Sequence, residues 1–162
     1  MLGRFADNVR GLLAVADKCG VEWGRRAREA IMVMFEAEKV ATPQYIIVRH
    51  GIVIFEALGV ELIGSVRFNV ELKRLDLPDA RWTRYRGASG HDYAHQIQMF
   101  EQATLLRKVG IVSAKIRPPG EKQCHGYKLA QFQEAQRKYR IKAPTDAETA
   151  RARLRLVGPP SD

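Results

Sequence analysis

SGHDYAHQIQMFEQATLLRKVGIVSAKIRPPGEKQCHGYKL, residues 89–129, is the stretch on which the fold turns. Its first part has the spacing of a helix. Ser89 followed three residues later by Asp92 has the form of a capping box, with the carboxylate at the positive end of the helix dipole. From there Ala94, Ile97, Phe100, Ala103, Leu106 and Val109 recur every three residues, widened by Tyr93, Met99 and Leu105 into a stripe that can face a core. Gly110 stands where a C′ glycine ends a helix. Beyond it Val112, Ala114 and Ile116 alternate with Ser113, Lys115 and Arg117, the period of a half-buried strand. Pro118-Pro119-Gly120 stops the ladder, since proline donates no amide. A polar tip over residues 121–126 then leads to Tyr127-Lys128-Leu129 as the return strand.

Helix, glycine, strand, basic loop and a returning Gly126-Tyr127-Lys128-Leu129 resemble the last helix and wing of a winged-helix DNA-binding domain. The resemblance covers residues 89–129 and rests on pattern. It implies that the wing touches phosphate or minor groove, and that the helix before it, or one just upstream, lies in the major groove. Lys115, Arg117, Lys122 and Lys128 would then neutralise phosphates, while Gln96, Gln98, Gln102, Arg107 and Lys108 are polar helix positions that would approach base edges. The two shorter helices that should precede this pair have no clear place in the sequence.

At 162 residues the chain is long enough to bury a core of its own, and 46% hydrophobic with 28% charged residues is the composition of a folded protein. The net charge of +9, with a pI near 9.9, is unevenly spread. Residues 1–77 hold 11 Lys/Arg against 10 Asp/Glu, whereas residues 78–162 hold 16 against 8. A positive field concentrated in one half attracts polyanions. Two cysteines far apart, Cys19 and Cys124, suit reduced thiols in a cytoplasmic protein. The apolar run at residues 12–16 is too short for a signal-peptide core, and the window 45–63 is broken by Arg49, His50, Glu56 and Glu61, so no membrane association is expected.

The N-terminal segment reads as a helical hairpin. Leu2, Phe5, Val9, Leu12, Leu13 and Ala16 share one helical face, Gly20 closes it, and Trp23, Ala27, Ala30, Ile31, Met34 and Phe35 form the face of a second helix. Thr42-Pro43 is a good helix start. Yet Tyr45-Ile46-Ile47-Val48 and Ile52-Val53-Ile54-Phe55 are β-branched runs around His50-Gly51, and a hairpin is the favoured reading. Val66, Phe68, Val70 and Leu72 alternate with polar residues as a strand would. The fold expected is therefore α+β: a helical hairpin and a small antiparallel β segment over residues 1–77, then a winged-helix-like basic region over 78–142. Residues 143–162 follow as a basic tail in which Thr145 or Asp146 stands as the cap of a short helix, while the alternation of Arg151, Arg153 and Arg155 with Ala152, Leu154 and Leu156 points to a segment ordered only by a partner.

Arg81-Trp82-Thr83-Arg84-Tyr85-Arg86, between the breakers Pro78 and Gly87, interleaves three arginines with two aromatics. Either it grips nucleic acid, guanidinium on phosphate and ring on base, or the rings pack inward with the arginines in water. Leu129, Phe132, Ala135 and Tyr139 mark a further helix whose end, with Arg137, Lys138 and Arg140, is basic. These cations also suit the helix dipole.

Catalytic patterns are lacking. Gly87-Ala88-Ser89-Gly90-His91 misses the glycine that a nucleophile elbow needs two residues after its serine, and no phosphate-binding glycine loop occurs. His91 and His95, four apart, can be drawn with Cys124 and His125 as a four-ligand metal set, but exposed histidines near a helix start explain them better. No metal or cofactor is expected, and no enzyme. The expectation is a nucleic-acid-binding protein, a duplex-DNA binder acting in transcription or replication control, with DNA favoured over RNA. A homodimer or larger assembly would form through the N-terminal half. The alternative is a structural component of a virion or ribonucleoprotein whose basic half docks on nucleic acid or an acidic protein.

Overall fold

The computed structural model describes residues 2–87 and 93–157. The chain divides into two compact units, Met1–Ala41 and Thr42–Asp162, so the boundary sought near residue 77 falls inside the second. The first unit is the expected helical hairpin, α1 (Leu2–Lys18) and α2 (Val21–Ala41), turning at Gly20 with φ of +117°. Beside the turn Arg28 donates to Asp17 across 2.7 Å.

The second unit contains α3 (Pro43–Leu58), β1 (Leu62–Gly64), α4 (Ser65–Arg74), α5 (Met99–Lys108), β2 (Ala114–Ile116), β3 (Cys124–Lys128), α6 (Leu129–Tyr139) and α7 (Asp146–Leu156). A 3-10 turn, Trp82–Arg84, lies in the long connection between α4 and α5. The three strands form one antiparallel sheet in the order β1-β3-β2, with Ile63 opposite Tyr127 and Lys115 opposite His125. From α3 to β3 the order is helix, strand, helix, helix, strand, strand, with the first strand paired to the last, the order that the winged-helix resemblance implied. The helices that the sequence left unplaced are α3 and α4.

Three segments fold otherwise than expected. Residues 43–58 are a helix, not a hairpin. Its β-branched runs serve a helix buried nearly all round, with Ile47, Val48, Ile52, Val53, Ile54 and Phe55 all in the core. Gly51 is not a turn residue: a Cβ there would run into the Phe132 ring, so glycine lets α6 approach α3 closely. Residues 65–74 are also helical. Phe68, Asn69, Glu71 and Leu72 are buried at helical spacing, while Val66 and Val70 are exposed, so the alternation seen in sequence joins residues from two faces. The C-terminal segment is no loose tail either, because α7 packs on α3 through Ala152 and Leu156. Thr145 and Glu148 cap it, Glu148 accepting the Thr145 amide across 2.8 Å.

The central helix is shorter than expected and differently turned. The proposed Ser89/Asp92 cap lies outside the described residues. Tyr93 to Gln98 are not helical, and His95 exchanges both backbone hydrogen bonds with Tyr85. The helix starts at Met99, where Glu101 accepts the Gln98 amide across 2.8 Å. It ends as expected at Gly110, φ +82°, where the Gly110 amide meets Arg107 O and the Ile111 amide meets Leu106 O, a Schellman turn.

Candidate nucleic-acid interface

Helix α5 has two faces. Gln102, Leu105, Leu106 and Val109 are buried, and Phe100, Thr104, Arg107 and Lys108 are exposed at the i, i+4, i+7, i+8 spacing of one stripe. The three-residue recurrence that put Phe100 in the core had assigned it to the wrong face. Gln98 is exposed at the start of the helix, whereas Gln102, taken as a base reader, is wholly buried. It accepts a hydrogen bond from Asn69 of α4 across 2.9 Å and so joins α4 to α5 across the long connection between them.

The wing is the β2–β3 hairpin. Ile116 and Tyr127 are buried beneath it, and Lys115, Arg117, Lys122 and Lys128 are exposed with no ion pair among the described residues. At the tip, Glu121 pairs with Arg67 of α4 across 2.7 Å. Sequence reasoning overlooked Arg67, because residues 66–72 were read as a strand.

The arginine and aromatic run divides in the same way. Trp82 and Tyr85 are core residues, 3% and 6% exposed, so neither ring offers a stacking face. Arg81, Arg84 and Arg86 remain in water. The Trp82 indole donates to His50 Nδ1 across 2.8 Å. An indole N–H only donates, so Nδ1 is bare and Nε2 carries the proton toward Asp79 Oδ1, 2.9 Å away. Asp79 also accepts from Arg49, which pairs with Glu148 of α7. That hydrogen bond from His50, with the Arg49 charge beside it, holds the Asp79 carboxyl below its ordinary range despite partial burial. One buried polar chain thus fixes the connection between α4 and α5, and α7 with it, to α3.

The basic end of α6 is set apart. Arg137, Lys138 and Arg140 are exposed, but α6 leaves the sheet directly after Lys128 and carries them about 15 Å from β3. The four-ligand metal set does not assemble as drawn. His91 lies outside the described residues, and His95 is on an extended segment rather than a helix. Its ring is engaged by the Tyr93 carbonyl and Glu101, and Cys124 and His125 alternate across β3. Among the described residues no group of three His, Cys, Asp or Glu is arranged to hold a metal, and no helix is long and apolar enough to cross a membrane.

The fold is α+β, with a three-stranded antiparallel sheet and exposed cations on α5 and on the β2–β3 hairpin. The chain belongs to the family described as Protein of unknown function (DUF3631), which matches residues 1–139 and so includes both units up to the end of α6. No curated protein and no solved structure matches it.

Proposed function

We propose that this chain binds double-stranded DNA through α5 and the β2–β3 wing. The observation that carries this reading is the exposed stripe of α5, ending in Arg107 and Lys108, beside a hairpin whose Lys115, Arg117, Lys122 and Lys128 have no acidic partner among the described residues. Cations so presented neutralise phosphates and release counterions. An α-helix fits the major groove of B-form DNA, whereas the deep, narrow major groove of A-form RNA excludes its side chains, so DNA is the favoured duplex. Control of transcription or replication is the setting such binding suits.

The test is fluorescence anisotropy on duplex DNA, duplex RNA and single-stranded DNA with Arg107→Ala, Lys108→Ala and the wing variants. Weaker DNA binding in both sets supports the reading. Unchanged affinity in all of them removes it. A second role belongs to the N-terminal hairpin, where Val21, Trp23, Val33 and Met34 are 60% exposed or more. Trp23 and Met34, eleven residues apart, fall on one face of α2, and an apolar pair so exposed favours self-association or a protein partner, read by light scattering on Trp23→Ala against the unaltered chain.

A further inference from the structure

We infer that the partner of the N-terminal hairpin is a second copy of this chain, the two hairpins packing face to face as a four-helix bundle. The inference rests on the reading of that hairpin as an association surface, and commits it to one occupant and one face. Within the hairpin, α1 meets α2 along a narrow seam. Leu13 and Ala16 of α1 and Ala27 and Ile31 of α2 are half-buried there, with Gly24 beside Asp17. Gly24 is the only buried residue between 9 and 34, the hairpin residues whose burial is described. Two helices form a single layer, and a layer with no buried side chain needs another to cover it.

The two sides of the seam differ. At about 100° per residue, Asp17 and Arg28 each stand about 70° from the seam, and the ion pair between them shows that they share one side of the hairpin. In an antiparallel pair, rotation from the seam in the same sense brings residues of both helices onto the same broad face. Leu12, Val15 and Cys19 of α1 and Trp23, Ala30 and Met34 of α2 turn in the opposite sense, about 50–130° from the seam, and so share the other face. All six are exposed, Leu12, Val15, Trp23 and Met34 by 60% or more. Of the described charged side chains only Arg26 reaches the rim of this apolar face, where it donates to Glu22 and lies over the Trp23 ring.

Charge and size favour a second copy as the occupant. Residues 1–41 hold 7 Lys/Arg against 6 Asp/Glu, so the hairpin carries +1 of the chain's +9 and two copies meet there with little repulsion. Arg25, Arg26 and Arg28 pair with Glu22, Glu29 and Asp17 of the same hairpin, so these charges select no partner of opposite sign. With α1 at 17 residues the face is about 25 Å long and, across two helices, about 20 Å wide. Covering it on both copies removes roughly 1,000 Å² from water, the size at which a specific interface holds. Antiparallel helices apolar on one side are the components of a four-helix bundle, and Trp23 and Met34 are residue types that interfaces favour.

The experiment is analytical sedimentation of the full chain without DNA over a concentration series. The unaltered protein is compared with Leu12→Glu, Met34→Glu and Trp23→Ala on the apolar face, and with Met32→Glu, which is exposed on the side of Asp17 and Arg28. The expected mass at micromolar concentration is twice the 18.3 kDa of one chain. Leu12→Glu and Met34→Glu each bury an unpaired charge and should raise the dimer dissociation constant about a hundredfold or more, Trp23→Ala about tenfold, and Met32→Glu should leave it unchanged. Trp23→Ala adds no charge and decides the matter where a glutamate unfolds the hairpin. A single-chain mass at every concentration would overturn the inference and leave a different protein as the partner of the hairpin. A dimer that survives all three face variants, or that Met32→Glu breaks as well, would overturn the face and leave self-association standing.

Discussion

Asn69 of α4 donates to Gln102 of α5 across 2.9 Å, and both side chains are buried in an otherwise apolar core. The same Asn69 amide reaches the Ile97 carbonyl at 3.4 Å, and Gln102 Nε2 lies 3.4 Å from the Tyr127 hydroxyl. This node holds α4, α5 and β3 in register, and so aims the exposed face of α5. Gln102→Ala should cost about 1–3 kcal/mol of stability in urea unfolding, because Asn69 is left unsatisfied. It should leave sequence preference unaltered, whereas loss of a base contact would remove about 1–3 kcal/mol of discrimination. A changed preference at full stability would return Gln102 to the groove.

Gly51 and Phe132 set the distance between α3 and α6. Gly51→Ala should destabilise by about 1–3 kcal/mol through overpacking, and Phe132→Leu in the same chain should recover part of the loss. Strictly additive losses in the double variant would show that the two side chains do not meet.

Asp79 makes stability depend on pH in a definite direction. Its carboxyl titrates below the unfolded value, so its contribution is complete above about pH 4 and lost as pH falls through the folded value. Asp79→Asn should therefore destabilise the protein at neutral pH, with a deficit that shrinks on acidification. Unfolding midpoints of the two proteins compared over a pH series check this. A deficit independent of pH would mean that the charge contributes nothing beyond the hydrogen bond.

Arg140 closes α6 in the left-handed region with φ of +50°, and is the only non-glycine residue there among those described. Its amide still meets Arg137 O, as glycine's would. Arg140→Gly should raise stability by about 1 kcal/mol by removing the Cβ clash of that conformation. A fall in stability would mean that the arginine side chain itself holds the end of the helix.

The C-terminal half was the more legible in sequence. The Gly110 stop, the β2 strand and α6 stand where local signals put them, since a glycine beyond a helix and a two-residue alternation are read without tertiary knowledge. The helical hairpin at Gly20 was legible for the same reason. Helix α3 was not, because burial on all sides removes the amphipathic period and leaves β-branched runs that look like strands. In α4 the exposed Val66 and Val70 completed a false alternation with Phe68 and Leu72. In α5, Phe100 continued an apolar stripe that the fold divides between an extended segment and two helix faces. The candidate interface was legible in its cations and not in its rings, for the Trp82 indole found its acceptor at His50, a residue distant in sequence.

The most direct test of the account is the slope of log affinity against log salt for duplex DNA, measured on the unaltered chain and on a chain with Lys115→Ala and Arg117→Ala together. Each phosphate contact contributes about 0.9 to that slope for B-form DNA, so the double variant should bind more weakly with a slope shallower by roughly 1.8. An unchanged slope and affinity, or no binding at low salt, would contradict the claim that the wing grips DNA.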